Sequence, residues 1–351
     1  MNDIIISHEQ YGDLDKLDED GLSCQIWQVS AATGPPIANC SGGSCWESYP
    51  RKMSTSDESL LNRELSLRSA DHYNIAFNLL NELLDFGTHL LPKALENSPK
   101  DIKALCIIGV QFRQILAHLD GIAVLIASGN SFSAALQLRS SLEIALAMEW
   151  ILKSDSEAKA NHFFVANLRR RRQWQSVAIP GTSEAARRAD DVKHLTFSPT
   201  CLEEIRKEIA AIDNILADRK FSAIDAAFQK NYERSNYDKP WYEIYGIPSI
   251  RKIAKDLGKT NFYGHFYASY SEITHGGNMW KNLSFGEGVF VNPIREPTQI
   301  VKVARMAASI VMHVFKMVLE QYIPSDIPDF EKKYKSQWRT RYLKTMVRAG
   351  D

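Results

Sequence analysis

Asn130–Lys153 reads NSFSAALQLRSSLEIALAMEWILK. It has helix length, and apolar residues occupy most of its circumference, which marks a helix enclosed by others. Within it Arg139 and Glu143 stand one turn apart. At about 100° per residue they share an arc with Leu136, Leu146, Ala147 and Trp150, so the pair is expected to face protein or a closed cavity. Outward from this stretch the same period recurs. Leu79, Leu80, Leu83, Leu84, Phe86 and Leu90 form an amphipathic helix expected to end near Pro92. Leu105, Ile108, Phe112, Leu116 and Leu119 form a second, capped by Asp101 and running to Ser128. Gly129-Asn130 is a stop signal, with Ser131 or Ser133 as the following cap. A fourth helix begins between Ser154 and Ser156, places Phe163, Phe164 and Leu168 inward and ends in the run Arg169–Arg172. Long helices joined by short links fold back on one another, so the expected class is all-α, an antiparallel helical bundle.

The remainder fits that class. Ser183–Lys193 reads as a short surface helix and SPTCLEEIRKEIAAIDNIL, from Ser198, as a longer one with Glu203 and Glu204 in its first turn. Ser235–Pro248 is aromatic and irregular, Ser249–Leu257 is a short helix ended by Gly258, and TNFYGHFYASYSEITHGG is a helix stopped by Gly276-Gly277. SFGEGVFV suggests a small β-hairpin. Thr298–Tyr322 is strongly apolar, Pro324 and Pro328 close it, and Asp329–Arg348 reads as one charged final helix. Residues 1–57 are the least helical: an acidic start, a short alternating segment at Cys24–Val29, then a turn-rich loop in which Cys40 and Cys45 bracket SGGS. The expected division is an irregular N-terminal segment at 1–57, a helical bundle domain at 58–323 and a C-terminal helix at 324–351.

Composition narrows the function classes. With 351 residues, 44% hydrophobic and 24% charged, the chain reads as globular; Lys plus Arg and Asp plus Glu both number 42, so no global charge draws it to nucleic acid or anionic membrane. Ile107–Ser128 is interrupted by Arg113, His118 and Asp120, against a simple span, and the first residues lack a secretory pattern. Five scattered cysteines suit a reducing compartment, so the cytoplasm is the expected location. No phosphate-binding glycine loop, HExxH, GxSxG or paired CxxC is present, and neither metal nor cofactor is expected.

Four constellations carry chemistry. Arg139–Glu143 either joins bundle helices or holds an oxyanion; because Arg precedes Glu, the order is the weaker one for helix support. Tyr267, Ser271 and His275 repeat at i, i+4, i+8, lining two hydroxyls and an imidazole along one stripe. His275 sits before Gly276-Gly277, where the helix dipole favours imidazolium, suited to a general acid and equally to a cap. Arg113-x4-His118 echoes the Arg-x4-6-His signature of helical HEPN-type ribonucleases, although five residues leave the two side chains out of alignment on a regular helix. Arg169–Arg172 with Trp174 offers either a phosphate-contacting patch with a stacking platform or a solvated helix end.

Taken together, R139SSLEIALAMEWILK and Y267ASYSEITHGG resemble a bacterial helical family of unknown function, whose members pair an Arg-x-x-x-Glu helix with a Tyr/Ser-rich helix ending in His-Gly. The resemblance spans roughly residues 70–320 and carries over to Arg139, Glu143, Ser271, His275 and Gly276. Such members are broadly similar to HEPN-like proteins, many of them RNases of toxin or anti-phage systems, although an Arg-(Asn/Asp)-x4-His segment at a late helix start is missing here. The resemblance itself brings no established activity; by analogy with those proteins, the leading expectation is a metal-independent ribonuclease with catalytic Arg139, Glu143, Ser271 and His275 and with RNA as partner. A homo-oligomer or an antitoxin-like protein is the further partner to expect. The rival expectations are a non-catalytic interaction protein held in register by an Arg–Glu–His network, and a small-molecule sensor with Tyr237–Tyr245 as its lid.

Overall fold

The computed structural model describes residue 61 and residues 73–97, 102–194, 196–235, 237–264, 267, 283–285, 289–292, 294–295 and 299–344. The expected irregular segment at 1–57, with Cys40 and Cys45, lies outside them, as do Asp101, Ser271, His275, Gly276 and Gly277. Among the described residues the fold is an all-α helical bundle with one two-stranded hairpin.

The bundle is built around α10, Ile300–Tyr322, which is buried around almost its whole circumference from Val303 to Phe315. A helix buried on every side must be enclosed, and α1 (Asn74–Asn97), α2 (Ile102–Ala127) and α3 (Ser131–Lys153) all pack against it. The closest approach is at Gly87 of α1. A Cβ there would lie 2.5 Å from a Leu116 methyl and 2.9 Å from the Phe315 ring, so a hydrogen is the side chain that lets α1, α2 and α10 meet. By length and composition α2, at Ile107–Ala127, could cross a membrane. Here Ile108, Phe112, Ile115, Leu119, Ile122 and Ile126 face the bundle core instead.

Two helix boundaries differ from expectation. Pro92 does not end α1, which continues to Asn97. Proline within a helix forfeits a backbone bond, and burial of Leu90 and Ala94 on either side of it carries the helix through. The cap of α3 is Asn130 itself, whose side-chain oxygen accepts from Ser133 N at 3.0 Å after Gly129 turns the chain at φ 73°.

A second layer leans on this core. It comprises α4 (Ser156–Ser176), α5 (Ser183–Arg187), α6 (Ala189–Val192), α7 (Pro199–Ala217) and α8 (Ser222–Ser235). Ser198 Oγ caps α7 by accepting from Cys201 N. The inner face of α4 departs from expectation: Phe163, Phe164 and Leu168 are only half-buried, while Lys159, Asn161 and Arg169 are buried. Lys159 and Arg169 take the inside because each finds partners there; Lys159 Nζ donates to the Trp150 carbonyl at 2.8 Å and sits 4.0 Å over its ring.

The aromatic stretch after α8 is anchored. Trp241 is buried, 5.5 Å from both Trp150 and Phe163, and Tyr245 meets Trp150 edge-on. A short helix, α9 (Ile250–Asp256), follows behind the Ser249 cap. Residues 260–264 and 267 are again helical. Leu283–Phe285 (β1) pairs antiparallel with Val289–Val291 (β2), Ser284 opposite Phe290. The final segment is not one helix: α11 (Ile327–Lys333) passes through a π-helical turn at Tyr334–Trp338 into α12 (Arg339–Lys344). The wider turn accompanies complete burial of Trp338, packed edge-on to Phe86 and Phe330.

Candidate functional site

Arg139 projects from the middle of α3 and its side chain is 15% exposed. Nε donates to Glu143 Oε1 at 3.2 Å, and an Nη nitrogen donates to the Tyr267 hydroxyl at 2.7 Å. The guanidinium also lies 4.4 Å from the centre of the Tyr267 ring. That ring stacks on Tyr263 with centroids 4.7 Å apart and planes 19° from parallel. Guanidinium, phenol and phenol thus form one layered unit, a geometry a planar, weakly hydrated cation suits better than an ammonium would. Glu143 is 36% exposed, so the group opens to solvent on the carboxylate side rather than being sealed in the core.

The surroundings keep the Tyr263 and Tyr242 hydroxyls protonated. Burial raises the Tyr263 hydroxyl well above the ordinary phenol range, and Tyr267 and Glu143 add to the effect. Burial likewise raises Tyr242, which also feels Glu243 and Glu143, with Arg170 opposing. Tyr242 therefore stands within electrostatic reach of both Glu143 and Arg170.

One turn before Tyr263 the same chain segment is fixed by a network that sequence spacing gives no sign of. Lys259 Nζ donates to Glu149 Oε1 at 2.6 Å, and His313 Nε2 donates to Glu149 Oε2 at 3.0 Å. Burial works against the Glu149 anion, yet His313 and Lys259 outweigh it and hold the carboxyl below its usual range. Burial pushes His313 down despite that carboxylate, so a neutral imidazole donates from Nε2. From Lys259 to Tyr263 to Tyr267 the segment runs antiparallel along α3, meeting Glu149 first and Arg139 last.

The other sequence candidates resolve differently. Arg113 is exposed, while His118 is held by glutamines: Nδ1 is 2.5 Å from Gln137 Oε1 and Nε2 is 3.2 Å from Gln114 Nε2. The arginine run is divided, not solvated as a block. Arg169 is 1% exposed and bridges Asp225 at 2.5 Å and Asp238 at 3.1 Å. Arg171 pairs with Glu208, and Arg172 with Asp213 at 2.9 Å. Trp174 is 58% exposed, with the Arg188 guanidinium 4.5 Å over its ring. Arg139, Glu143 and Tyr267 are brought together; Ser271 and His275 fall outside the described residues. Among the described residues no three His, Cys, Asp or Glu side chains gather as a metal centre.

Comparison with known proteins places this geometry in a family without an assigned activity. No curated protein and no solved structure matches the chain. A family model does match over residues 105–289, which includes Arg139, Glu143, Trp174, Lys259 and Tyr267 and takes in more than half of the chain. The chain belongs to the family of unknown function DUF5677.

Proposed function

We propose that the Arg139 site binds the RNA backbone and that the protein is a metal-independent, endoribonuclease-like enzyme of the cytoplasm, in a toxin or anti-phage setting. The observation that carries the reading is the Arg139 guanidinium clamped between Glu143, on the solvent side, and Tyr267, whose own segment continues in sequence to Ser271 and His275. Arg139 holds a backbone phosphate by charge-assisted hydrogen bonds, while Glu143 and Tyr267 fix its plane. His275 acts on the cleavage: a ribose 2′-oxygen forms a bond to phosphorus as its proton is taken by base, the phosphorus–5′-oxygen bond breaks, and the leaving oxygen is protonated. Ser271 orients the imidazole.

The test is cleavage of total RNA by purified protein with EDTA present, beside His275→Ala. Cleavage lost in the variant supports the reading; undiminished cleavage removes His275 from the mechanism, and an inactive wild type removes the reading.

A second reading has its own support. The chain already uses Glu149–Lys259–His313 and Arg169–Asp225–Asp238 to tie helices together, and Arg139–Tyr267 is a bond of the same kind. A non-catalytic interaction protein, joined to a second copy or an antitoxin-like partner, would use it to hold register. In that case Arg139→Ala lowers the melting temperature and RNA is never a substrate. A sensor with Tyr237–Tyr245 as its lid would have to undock Trp241 from Trp150 and Phe163 at each opening.

A further inference from the structure

The division of the arginine run leaves a surface that the proposed site does not use. Phe163, Arg170 and Trp174 are spaced by seven and four residues on α4, which sets all three within about 20° of one line down the helix. The upper end of this line is tied to the aromatic anchor, since Phe163 meets Trp241 and Trp241 meets Tyr242 at 5.7 Å. Tyr242 lies within electrostatic range of both Glu143 and Arg170, which act on its hydroxyl in opposite directions. Two turns on from Phe163 comes exposed Arg170, and one turn further comes Trp174 under Arg188. Glu208 and Asp213 engage Arg171 and Arg172, which leaves Arg170 as the arginine of the run on this line; Arg188, 3.6 Å from Asp191 at the surface, adds a second cation from outside α4, over Trp174.

We infer that Tyr242, Arg170, Trp174 and Arg188 form a track that docks an extended single-stranded RNA segment leading into the Arg139 site. The inference rests on the RNA reading above for its substrate. A large indole left in solvent beside two cations has the chemistry of a base-stacking platform with phosphate contacts, which accepts any sequence but needs unpaired bases. From Phe163 to Trp174 the line covers about 16 Å, room for a few nucleotides. Duplex RNA hides its base faces and cannot use Trp174.

The experiment is fluorescence anisotropy of a labelled oligouridine, on the order of twelve nucleotides, against a matched duplex. The wild type should bind the single strand at least about tenfold more tightly than the duplex, with affinity falling from about 50 to about 200 mM salt. Trp174→Ala should weaken single-strand binding about 5- to 100-fold and Trp174→Phe should restore most of it. Arg170→Ala should weaken binding and lower the salt slope by about one. Equal affinity for duplex and single strand, or unchanged binding in Trp174→Ala, overturns the track. Cleavage with unchanged Trp174→Ala binding removes the track and keeps the nuclease; Trp174-dependent binding without cleavage keeps the track and removes the nuclease. No binding to either RNA removes both.

Discussion

Replacing Arg169 with alanine probes whether the arginine run is structural where it is buried. The guanidinium donates through Nε to both Asp238 oxygens at 3.2 and 3.3 Å, through one Nη to Asp225 at 2.5 Å and through the other to Gln229 at 3.1 Å. Removing it strands two carboxylates, and breaking a buried pair costs about 3–5 kcal/mol. Asp225 and Asp238 keep 24% and 14% of their exposure, and Gln173 still donates to Asp238 at 2.6 Å. Rehydration therefore pulls the expected cost to the lower end, about 3 kcal/mol. In a chain of this size that lowers the melting temperature by roughly 4 °C. The neighbour Arg171 provides the control: its side chain is 66% exposed, and Arg171→Ala should change stability by at most about 1 kcal/mol. Thermal unfolding followed by circular dichroism on the two variants reads the contrast. Equal shifts would refute the division of the run into one core cation and a solvated remainder.

Gly87→Ala should destabilise by about 1–3 kcal/mol although alanine is the better helix former, because the new methyl meets Leu116 and Phe315; chemical denaturation measures this, and a stabilised variant contradicts the packing. Tyr267→Phe removes the hydroxyl facing Arg139 and should cost about 1 kcal/mol while slowing RNA cleavage more than that loss of fold explains, read as the initial rate beside the melting temperature. Stability should also fall on acidification in two stages. His313, lowered from 6.5 by burial among Glu149, Lys259 and Glu320, takes up its proton in the unfolded chain first, so stability drops as pH falls below about 6.5. Glu149, lowered from 4.5, contributes stability above that value that is lost as pH falls through its folded pKa. Melting temperatures of His313→Gln should be flat across the first window; an unchanged slope would contradict the assignment.

Period and punctuation made the bundle readable from sequence. The apolar repeat in Ile300–Tyr322 and the enclosed run around Arg139 announce buried helices without reference to any partner. Boundaries were less legible where tertiary packing overrides a local signal, as at Pro92, or where the capping atom belongs to the residue read as a stop, as at Asn130. Side-chain partners were the hidden part. Glu149 meets Lys259 and His313 across 110 and 164 residues, and Arg169 meets Asp238 across 69, separations at which spacing carries no information. Tyr267 is the intermediate case. Its i, i+4 relation to Ser271 was visible and marked the stripe, but only the antiparallel course along α3, set by Lys259 on Glu149, brings its hydroxyl to Arg139.

The most direct test of an RNA-cleaving Arg139 site is the end chemistry of single-turnover products, in EDTA, on an RNA and on the same strand carrying one 2′-deoxy residue at the cleaved position. The account predicts 2′,3′-cyclic phosphate and 5′-hydroxyl ends, loss of cleavage at the deoxy position, and a rate lowered about 10²–10⁴-fold in His275→Ala. Cleavage of the deoxy strand at the same position, or equal rates for wild type and His275→Ala, would contradict it.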